Sequence, residues 1–370
     1  MEFMDEIAII GSGNGGRAFA AYLSKLGFKV NLYYRTLNHV KRIKKKKKVN
    51  VKGEMEGTYD LNLVTDEYEQ LVGNARLILV ATPAFAHQDI IEKLSPYLKN
   101  GQIILLNPGR TWGAIHVHNM IMKSRPEINV FVGEAQTLLF TCRKIEDSGV
   151  QILKIKDKVQ CCFYPEEDND YMEPIITKIF PQFEFVDDIK ITSLTNIGAV
   201  IHPAATILNA GSISRESPFL FYSEGMTQPI VNVIKNIDAE RCKIMARLGL
   251  EPVPLIEWAK SCYGYYSDDY YDVFHSIEPY QDIGSPVTLK MRYLTEDVPT
   301  GLVPLSSLGT YFNIPTPFID ALIRLSSCLV GEDFYEIGRT IEKVGVPAEV
   351  LHDIESIEFH EYFDIEDHYS

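Results

Sequence analysis

The sequence lacks any long uninterrupted run of apolar residues. No stretch of its 370 residues approaches the roughly 20 consecutive apolar residues that a membrane-spanning helix needs. The first ten residues also lack the basic start and apolar core of a secretory signal, since Glu2, Asp5 and Glu6 are acidic. We therefore expect no membrane partner and a cytoplasmic location.

Positive charge is also scarce. The chain has 36 Lys and Arg residues against 50 Asp and Glu residues, which gives a formal net charge of −14. Non-specific nucleic-acid binding needs a basic surface, so the charge argues against a nucleic-acid partner.

Cysteine is limited to six residues, and no two of them form a C-x-x-C pair. No pair of histidines at metal-ligand spacing accompanies them. We therefore expect six reduced thiols and no metal site.

The length of 370 residues exceeds what one ordinary core accommodates, and no repeat of 20–50 residues marks a solenoid. Strands and helices alternate up to about residue 187, and helical periodicity dominates beyond it. The sequence predicts an α/β protein with an N-terminal Rossmann doubly wound parallel sheet and an all-helical C-terminal domain. We expect the dinucleotide-binding domain at 1–187 and the substrate domain at 188–370.

A strand at Glu6–Ile10, a helix at Arg17–Leu26 and a strand at Lys29–Tyr34 form the first βαβ unit. Further strands are predicted at 75–81, 102–106 and 129–132, and helices at 87–98 and 114–123. Ile152–Ile155 and Val159–Phe163 are predicted to form an appended hairpin. The later segments with helical periodicity are 192–211, 224–248, 252–263, 316–330 and 333–345, and the rest of this half is predicted to be connection.

The first predicted strand ends in the run Gly11-Ser12-Gly13-Asn14-Gly15-Gly16, which fits G-x-G-x-x-G between a strand and a helix. In this context Gly11 permits the tight turn, Gly13 lets the backbone approach a pyrophosphate, and Gly16 lets the helix pack closely on the strand. The helix N-terminus adds free N–H groups and a partial positive charge. The run predicts a dinucleotide site.

The end of the second strand selects the cofactor. An NAD enzyme usually carries an acid there, but this strand ends in Tyr34-Arg35-Thr36. A guanidinium suits a ribose 2′-phosphate, so Arg35 and Thr36 predict NADP(H) in preference to NAD(H). The lysine run Lys44–Lys48 nearby is interpreted as a solvated segment.

Two turns follow neighbouring buried strands. Thr82-Pro83 follows one, and the turn from Asn107 to Thr111 follows the next. Ligands of open α/β sheets lie beyond the carboxyl ends of the strands, so both turns are candidates to line the cofactor cleft, or are ordinary Pro/Gly turns.

The segment 192–211 carries a broad apolar surface with a polar face. His202 shares that face with Thr195, Thr206 and Asn209, each a whole number of helical turns away. Polar groups on a buried helix need partners or a ligand. Pro203 predicts a kink or a new start of the helix near His202.

A second constellation combines Arg292, Glu296 and Asp297 ahead of Pro299. An aspartate can hold a histidine in one tautomer, and an arginine can clamp a carboxylate with two hydrogen bonds. A salt-bridged surface loop is the alternative interpretation.

The two constellations together resemble a known family. The run Gly198–Gly211, which contains His202-Pro203 and Asn209, is similar to the helical-domain signature of the opine dehydrogenases, and Arg292–Pro304 is similar to their second signature. The shorter runs Asn107-Pro108-Gly109, Tyr222-x-Glu224-Gly225-Met226-Thr227 and Gly338-Arg339-Thr340 also resemble the family. The resemblance covers about residues 5–346.

The resemblance implies reductive condensation of an amino acid with an α-keto acid, in which NAD(P)H reduces the imine to a secondary amine. It implies that His202 is the catalytic acid/base, Asp297 its partner, and Arg292 the clamp for a substrate carboxylate. From the polar face of 192–211 we also expect Thr206 and Asn209 to bind substrate. Pyruvate is the default keto acid, and a homodimer through the helical domain is compatible with the sequence.

Two other functions stay open. An NADP-dependent keto-acid or hydroxy-acid reductase of this fold would normally carry a catalytic lysine on the first helix of the second domain, and 192–211 has none. A non-catalytic dinucleotide-binding protein would not need the His202–Asp297 pair. The tyrosine-rich segment 261–284 either lines the amino-acid pocket or fills the domain.

Overall fold

The computed structural model describes residues 5–35, 47–145, 149–264 and 266–352. Thr36, most of the lysine run and the tail from Asp353 lie outside these ranges. The chain divides into two compact units, with the boundary between Ser193 and Leu194. The domain boundary predicted from the sequence lies between residues 187 and 188.

The first unit contains two sheets and the helices that cover them. Its strands are β1 (Glu6–Ile10), β2 (Lys29–Tyr33), β3 (Lys48–Gly53), β4 (Gly57–Asp60), β5 (Leu63–Thr65), β6 (Leu77–Val80), β7 (Ile103–Leu106), β8 (Phe131–Ala135), β9 (Phe140–Ile145), β10 (Gly149–Ile155), β11 (Val159–Tyr164) and β12 (Phe183–Phe185). Its helices are α1 (Asn14–Lys25), α2 (Tyr68–Val72), α3 (His87–Leu94), α4 (Gly113–Ser124), α5 (Asn169–Ile179) and α6 (Ile189–Leu194), and single 3₁₀ turns lie at Ala84–Ala86, Ser95–Tyr97 and Glu166–Asp168.

The larger sheet has the strand order β12-β11-β8-β7-β6-β1-β2-β5. Its strands pair in parallel except where β11 runs antiparallel to β8. The chain runs from β1 outward to β2 and β5, then crosses back to β6 on the other side of β1. The strand order thus reverses between β1 and β6, which makes this the switch point of a doubly wound sheet. The predicted Rossmann sheet is confirmed.

Strands β6 and β7 show why the central strands were recognisable. Leu77–Val80 and Ile103–Leu106 are apolar at every position, and every side chain in them is fully buried. A parallel strand with helices on both faces has no solvent side, so continuous apolar residues replace the alternation of a half-exposed strand.

The smaller sheet has the order β4-β3-β10-β9 and contacts helix α1. The predicted hairpin of Ile152–Ile155 with Val159–Phe163 is wrong, because the two strands belong to different sheets. Strand β10 pairs with β3 and β9, whereas β11 pairs with β8 and β12. Helix α1 therefore buries Ala18, Phe19 and Leu23 in a core that both sheets share.

The second unit is helical, as predicted. Its helices are α7 (Ile197–Leu208), α8 (Ala210–Ser214), α9 (Gln228–Arg247), α10 (Leu255–Tyr263), α11 (Tyr270–Ser276), α12 (Arg292–Thr295), α13 (Val303–Phe312), α14 (Pro317–Val330), α15 (Phe334–Ile337) and α16 (Ile341–Val344). A 3₁₀ turn lies at Glu278–Tyr280 and a π-helical turn at Val298–Leu302.

Some local predictions in this unit were wrong. No new helix starts near His202, since α7 begins at Ile197 and continues through Pro203, and the alternative of a kink stays a prediction. The segment Val303–Phe312 was predicted to be connection but forms a helix. Pro304 lies in its first turn, where a missing N–H costs no hydrogen bond.

The segment Ile189–Leu208 is apolar and long enough, by composition, to cross a membrane. Its most apolar window is 78% buried inside the structure, as in the core helix of a soluble protein.

Candidate active site

The glycine-rich turn joins β1 to α1 at the switch point of the larger sheet. Gly11 has a φ of +119°, and a Cβ there would lie 2.4 Å from the carbonyl oxygen of Ala81, just after β6. A Cβ on Gly16 would lie 1.6 Å from the carbonyl oxygen of Gly11. These two glycines therefore allow the turn to close tightly on both the neighbouring strand and its own helix.

Gly13 differs from its neighbours, because a Cβ built there meets no atom within 4 Å. It is the N-cap of α1, so the open space lies directly at the helix N-terminus. Beside the turn, the buried hydroxyl of Thr82 has no hydrogen-bond partner among the residues that the structure describes. Open space, free helix N–H groups and an unpartnered hydroxyl fit a pyrophosphate.

Gly13 and Gly16 give a prediction that separates cofactor binding from folding. We expect Gly13→Ala to keep the unfolding temperature of the parent protein but to bind NADPH at least about tenfold more weakly, since its Cβ occupies the phosphate space. We expect Gly16→Ala to lower the unfolding temperature, because its Cβ overlaps backbone. Thermal unfolding and titration calorimetry measure both, and equal cofactor affinity for Gly13→Ala and the parent would refute the phosphate placement.

Arg17 fixes the turn from behind and was not recognised in the sequence. Its side chain is buried, and its Nε donates to the carbonyl of Ser12 over 2.9 Å. Its Nη1 donates to the carbonyl of Gly149 over 3.2 Å. A buried guanidinium bound to backbone carbonyls holds the loop rigidly, which spares a ligand the entropy of ordering it.

The end of β2 presents a cation beside an aromatic pair. Arg35 is exposed, and the rings of Tyr33 and Tyr68 stack with centroids 4.5 Å apart at 17°. Burial raises the pKa of Tyr68, and the positive charge of Arg35 partly opposes that rise. Thr36, the other residue predicted here, lies outside the described residues.

The turn after β7 is held by a buried acid. The carboxylate of Glu134 accepts hydrogen bonds from the backbone N–H of Ala114 and from the hydroxyls of Thr192 and Ser193, each over 2.8 Å. A Cβ on Gly109 would lie 2.4 Å from the Cβ of Glu134. Within the turn, the side-chain amide nitrogen of Asn107 is buried and has no hydrogen-bond partner in the described part of the chain, so it is a donor available beyond the carboxyl end of β7.

In the second unit, the structure brings together His202 and Asp297, which lie 95 residues apart in sequence. The Nδ1 of His202 and the Oδ2 of Asp297 are 2.7 Å apart. The imidazole is 15% exposed and the carboxylate 1%. A carboxylate only accepts hydrogen bonds, so this contact places the ring proton on Nδ1.

The π-helical turn Val298–Leu302 places Asp297 against α7. A Cβ on Gly301 would lie 2.3 Å from the Cβ of Ala199, so only glycine lets this turn approach the helix so closely. Single π turns inside helices are frequent at functional sites. Here the turn directly follows the carboxylate that meets His202.

Aromatic side chains surround the imidazole. The ring of Tyr293 stacks on His202 with centroids 4.2 Å apart at 19°. The hydroxyl of Tyr222 lies 3.2 Å from Nε2 of His202. Tyr222 in turn stacks on Tyr280, with centroids 4.1 Å apart at 12°. Part of the tyrosine-rich segment 261–284 thus packs behind the histidine.

Arg292 lies on the same short helix as Tyr293. Its side chain is exposed, and its guanidinium carbon lies 5.8 Å from the centre of the Tyr293 ring. Among the described residues, no acid lies within ion-pair distance of it. An exposed guanidinium beside the His202 aromatic cluster is available to a carboxylate ligand.

The polar face predicted on 192–211 is only partly formed. Thr195 precedes α7 and is not on the helix. The Thr206 hydroxyl is fully buried and has no hydrogen-bond partner in the described chain. The amide of Asn209 donates to the carbonyls of Ala205 and Gly225 over 2.9 and 3.0 Å. The substrate-binding role of Thr206 and Asn209 stays a prediction.

Sequence reasoning missed Tyr222, Tyr293 and Arg17 as site residues. The two tyrosines lie inside the runs that carry the family resemblance, so they were within reach of that signal. Arg17 follows the glycine-rich turn directly, but nothing in a single sequence distinguishes a buried arginine from an exposed one.

Comparison with known families agrees with this geometry. Residues 186–330 match the family described as NAD/NADP octopine/nopaline dehydrogenase, alpha-helical domain, and residues 7–120 match ketopantoate reductase PanE/ApbA. The chain is 36% identical to an opine dehydrogenase of Arthrobacter sp. (strain 1C) over 341 residues, which cover 92% of this chain and 94% of that protein.

Solved structures share the fold. Octopine dehydrogenase with NADH and L-arginine superposes with a TM-score of 0.77 at 17% identity, over 92% of this chain and 95% of that one. The same enzyme with NADH and pyruvate gives a TM-score of 0.73 at 19% identity with the same coverage. Yersinopine dehydrogenase with NADP⁺ gives 0.70 at 15% identity, over 95% of this chain and 96% of that one.

Proposed function

The chain belongs to the opine dehydrogenase family, and from that premise we propose that its His202–Asp297 pair catalyses the reductive condensation of an amino acid with an α-keto acid. It is an NAD(P)H-dependent oxidoreductase that acts on CH–NH groups. The 2.7 Å contact between Nδ1 of His202 and Oδ2 of Asp297 carries the proposal.

The reaction needs an acid and a base in turn. An amine adds to the keto carbon, water leaves to give an imine, and the imine carbon is then reduced. Loss of water requires a proton at the departing oxygen, and histidine is the side chain best suited to give and take one near neutral pH. Asp297 keeps the second ring nitrogen protonated and stabilises the imidazolium, so that Nε2 is the nitrogen that exchanges protons.

The glycine-rich turn and the neighbouring strand ends hold the cofactor in this proposal. When bound, the nicotinamide supplies the hydride that reduces the imine carbon. The N–H groups at the start of α1 and the space beside Gly13 would hold the pyrophosphate, and the hydroxyl of Thr82 and the amide of Asn107 would supply further hydrogen bonds to the cofactor. Pro83, which follows Thr82, shapes the same turn.

The substrates are an amino acid and an α-keto acid, and Arg292 binds a carboxylate of one of them. Its planar guanidinium presents two parallel N–H donors, which match the two oxygens of a carboxylate. Pyruvate is our proposed keto acid, since octopine dehydrogenase, which shares the fold, was solved with pyruvate.

We propose NADPH as the preferred reductant. The exposed Arg35 at the end of β2 and the absence of an acid at that position support this choice. Relatives of this fold were solved with either cofactor, NADH in octopine dehydrogenase and NADP⁺ in yersinopine dehydrogenase. No disulfide joins the six cysteines, all of which lie in the described ranges. This fits a reducing compartment and supports our proposal of a cytoplasmic location.

The proposal is tested by NADPH and NADH oxidation with the purified protein across a panel of amino acids paired with pyruvate. We expect oxidation only when both compounds are present, and faster oxidation with NADPH. Oxidation of NADPH or NADH with a keto acid alone would contradict the proposal and indicate a keto-acid reductase. Residues 7–120, which match the ketopantoate reductase family, make this the alternative activity to test.

A further inference from the structure

Both ring nitrogens of His202 are engaged by side chains of the protein. Nδ1 lies 2.7 Å from Asp297, and Nε2 lies 3.2 Å from the hydroxyl of Tyr222. A neutral imidazole carries one donor and one acceptor, and the carboxylate takes the donor. Tyr222 therefore donates its O–H to Nε2, which is the nitrogen that the reaction needs for proton exchange.

Tyr222 is held firmly in this position. It is 5% exposed, its ring stacks on Tyr280, and the ring of Phe221 meets it edge-on with centroids 5.1 Å apart at 89°. Burial raises the pKa of Tyr222 well above its ordinary value of 10. The side chain is thus a neutral phenol across the working pH range and keeps a proton to donate.

We infer that Tyr222 relays protons between Nε2 of His202 and the reacting substrate. This inference rests on the proposed reaction. His202 enters this step as the imidazolium, so that Nε2–H donates to the Tyr222 oxygen and the Tyr222 O–H is released to the substrate. When the hydroxyl group of the amine–keto acid adduct departs, the Tyr222 O–H gives its proton to that oxygen and the C–O bond breaks with its electron pair, so that water leaves. The nitrogen lone pair of the adduct forms the C=N bond, and the Nε2–H of the imidazolium restores the proton on Tyr222. His202 ends neutral and is reprotonated from solvent.

A proton relay explains why the Tyr222 hydroxyl contacts Nε2 of His202, the nitrogen that must exchange protons. A phenol that only blocked Nε2 would have to be displaced for every turnover, at the cost of its hydrogen bond and of its stacking on Tyr280. A relay needs no displacement, because the hydroxyl accepts and donates at once. In this arrangement two protons move in the same step.

The test compares Tyr222→Phe with the matched variant Tyr280→Phe. Each change removes one phenol hydroxyl and keeps the ring, so the stack between the two rings is preserved. The protein is assayed with NADPH and the substrate pair identified above, in mixtures of H₂O and D₂O. For Tyr222→Phe we expect kcat to fall by about 10- to 100-fold, part of the usual contribution of a general acid, with KM values little changed. We expect a curved dependence of kcat on deuterium fraction in the parent and in Tyr280→Phe, and a straight line in Tyr222→Phe.

The other outcomes are decisive. Parent-like kcat and a curved deuterium dependence in Tyr222→Phe would overturn the relay, as would an equal loss in both variants with the curvature retained, since that indicates packing. Failure of the proposed function looks different: the parent then shows no oxidation that requires both substrates, or keeps full activity without His202. Either of those results removes the reaction and the relay with it.

Discussion

Replacing His202 by asparagine lowers kcat by about 10²- to 10⁴-fold, the usual contribution of a general acid or base, while the protein stays folded. The asparagine amide can take the place of Nδ1 as donor to Asp297, so the buried carboxylate keeps a partner. What disappears is Nε2 and its ability to exchange protons. Initial rates at saturating NADPH, amino acid and keto acid measure the effect.

Asp297→Asn tests the other half of the pair. An amide can donate to Nδ1, which would move the ring proton to Nε2 and remove the charge that stabilises the imidazolium. In serine proteases the equivalent change costs about 10⁴-fold in kcat, and we expect about 10²- to 10⁴-fold here. The buried environment of the pair makes it insensitive to salt, so the loss persists at high ionic strength.

A matched control for the second variant is Asp320→Asn. Asp320 lies on α14 and also accepts hydrogen bonds from neighbouring hydroxyls, those of Ser306 and Tyr335, neither of which contacts His202 in the hydrogen bonds of the described residues. We expect it to keep parent-like kcat. Equal rates for Asp297→Asn and Asp320→Asn would show that the carboxylate beside His202 has no catalytic role.

The His202–Asp297 pair shows which parts of the site a single sequence can predict and which it cannot. Family resemblance pointed to His202 and Asp297, but no local pattern predicts contact between residues 95 positions apart. The contact depends on the π-helical turn and on the close approach of Gly301 to Ala199. Both features depend on tertiary packing. In the sequence, Gly301 is a single glycine that is compatible with any loop.

In the fold, the buried parallel strands were predictable because they are apolar throughout. The smaller sheet was missed although β3 carries a signal, since Val49 and Val51 are buried while the residues between and around them are exposed. The error at β10 and β11 has another cause. Strands adjacent in sequence usually pair, but here the chain passes from one sheet to the other between Ile155 and Val159.

From periodicity alone, the aromatic surroundings of His202 were the least predictable part of the site. Tyr222, Tyr293 and Tyr280 come from three separate segments, and each lies in a stretch without clear helical or strand periodicity. For the tyrosine-rich segment 261–284, the sequence allowed two interpretations: it lines the amino-acid pocket, or it fills the domain. Tyr280 packs against Tyr222, so at least this residue supports the site from behind.

Arg35→Ala is expected to reverse the cofactor preference. A hydrogen-bonded charge pair with a phosphate is worth about 1.5–3 kcal/mol, which corresponds to roughly 10- to 150-fold in affinity. Because Arg35 is exposed, solvent screening places the expected rise in the KM for NADPH toward the lower end, about 10- to 30-fold. The KM for NADH is expected to stay close to that of the parent, since its ribose carries no 2′-phosphate for the guanidinium to bind.

Lys29→Ala provides the matched control, because Lys29 is an exposed cation at the opposite end of the same strand. It removes the same charge without touching the carboxyl end of β2, so a general field effect would weaken NADPH binding in both variants. We expect the KM for NADPH to rise only in Arg35→Ala, and the difference to shrink as salt is added. If the two variants behave alike, the preference for NADPH must come from elsewhere, and the acid-free end of β2 is not what selects the cofactor.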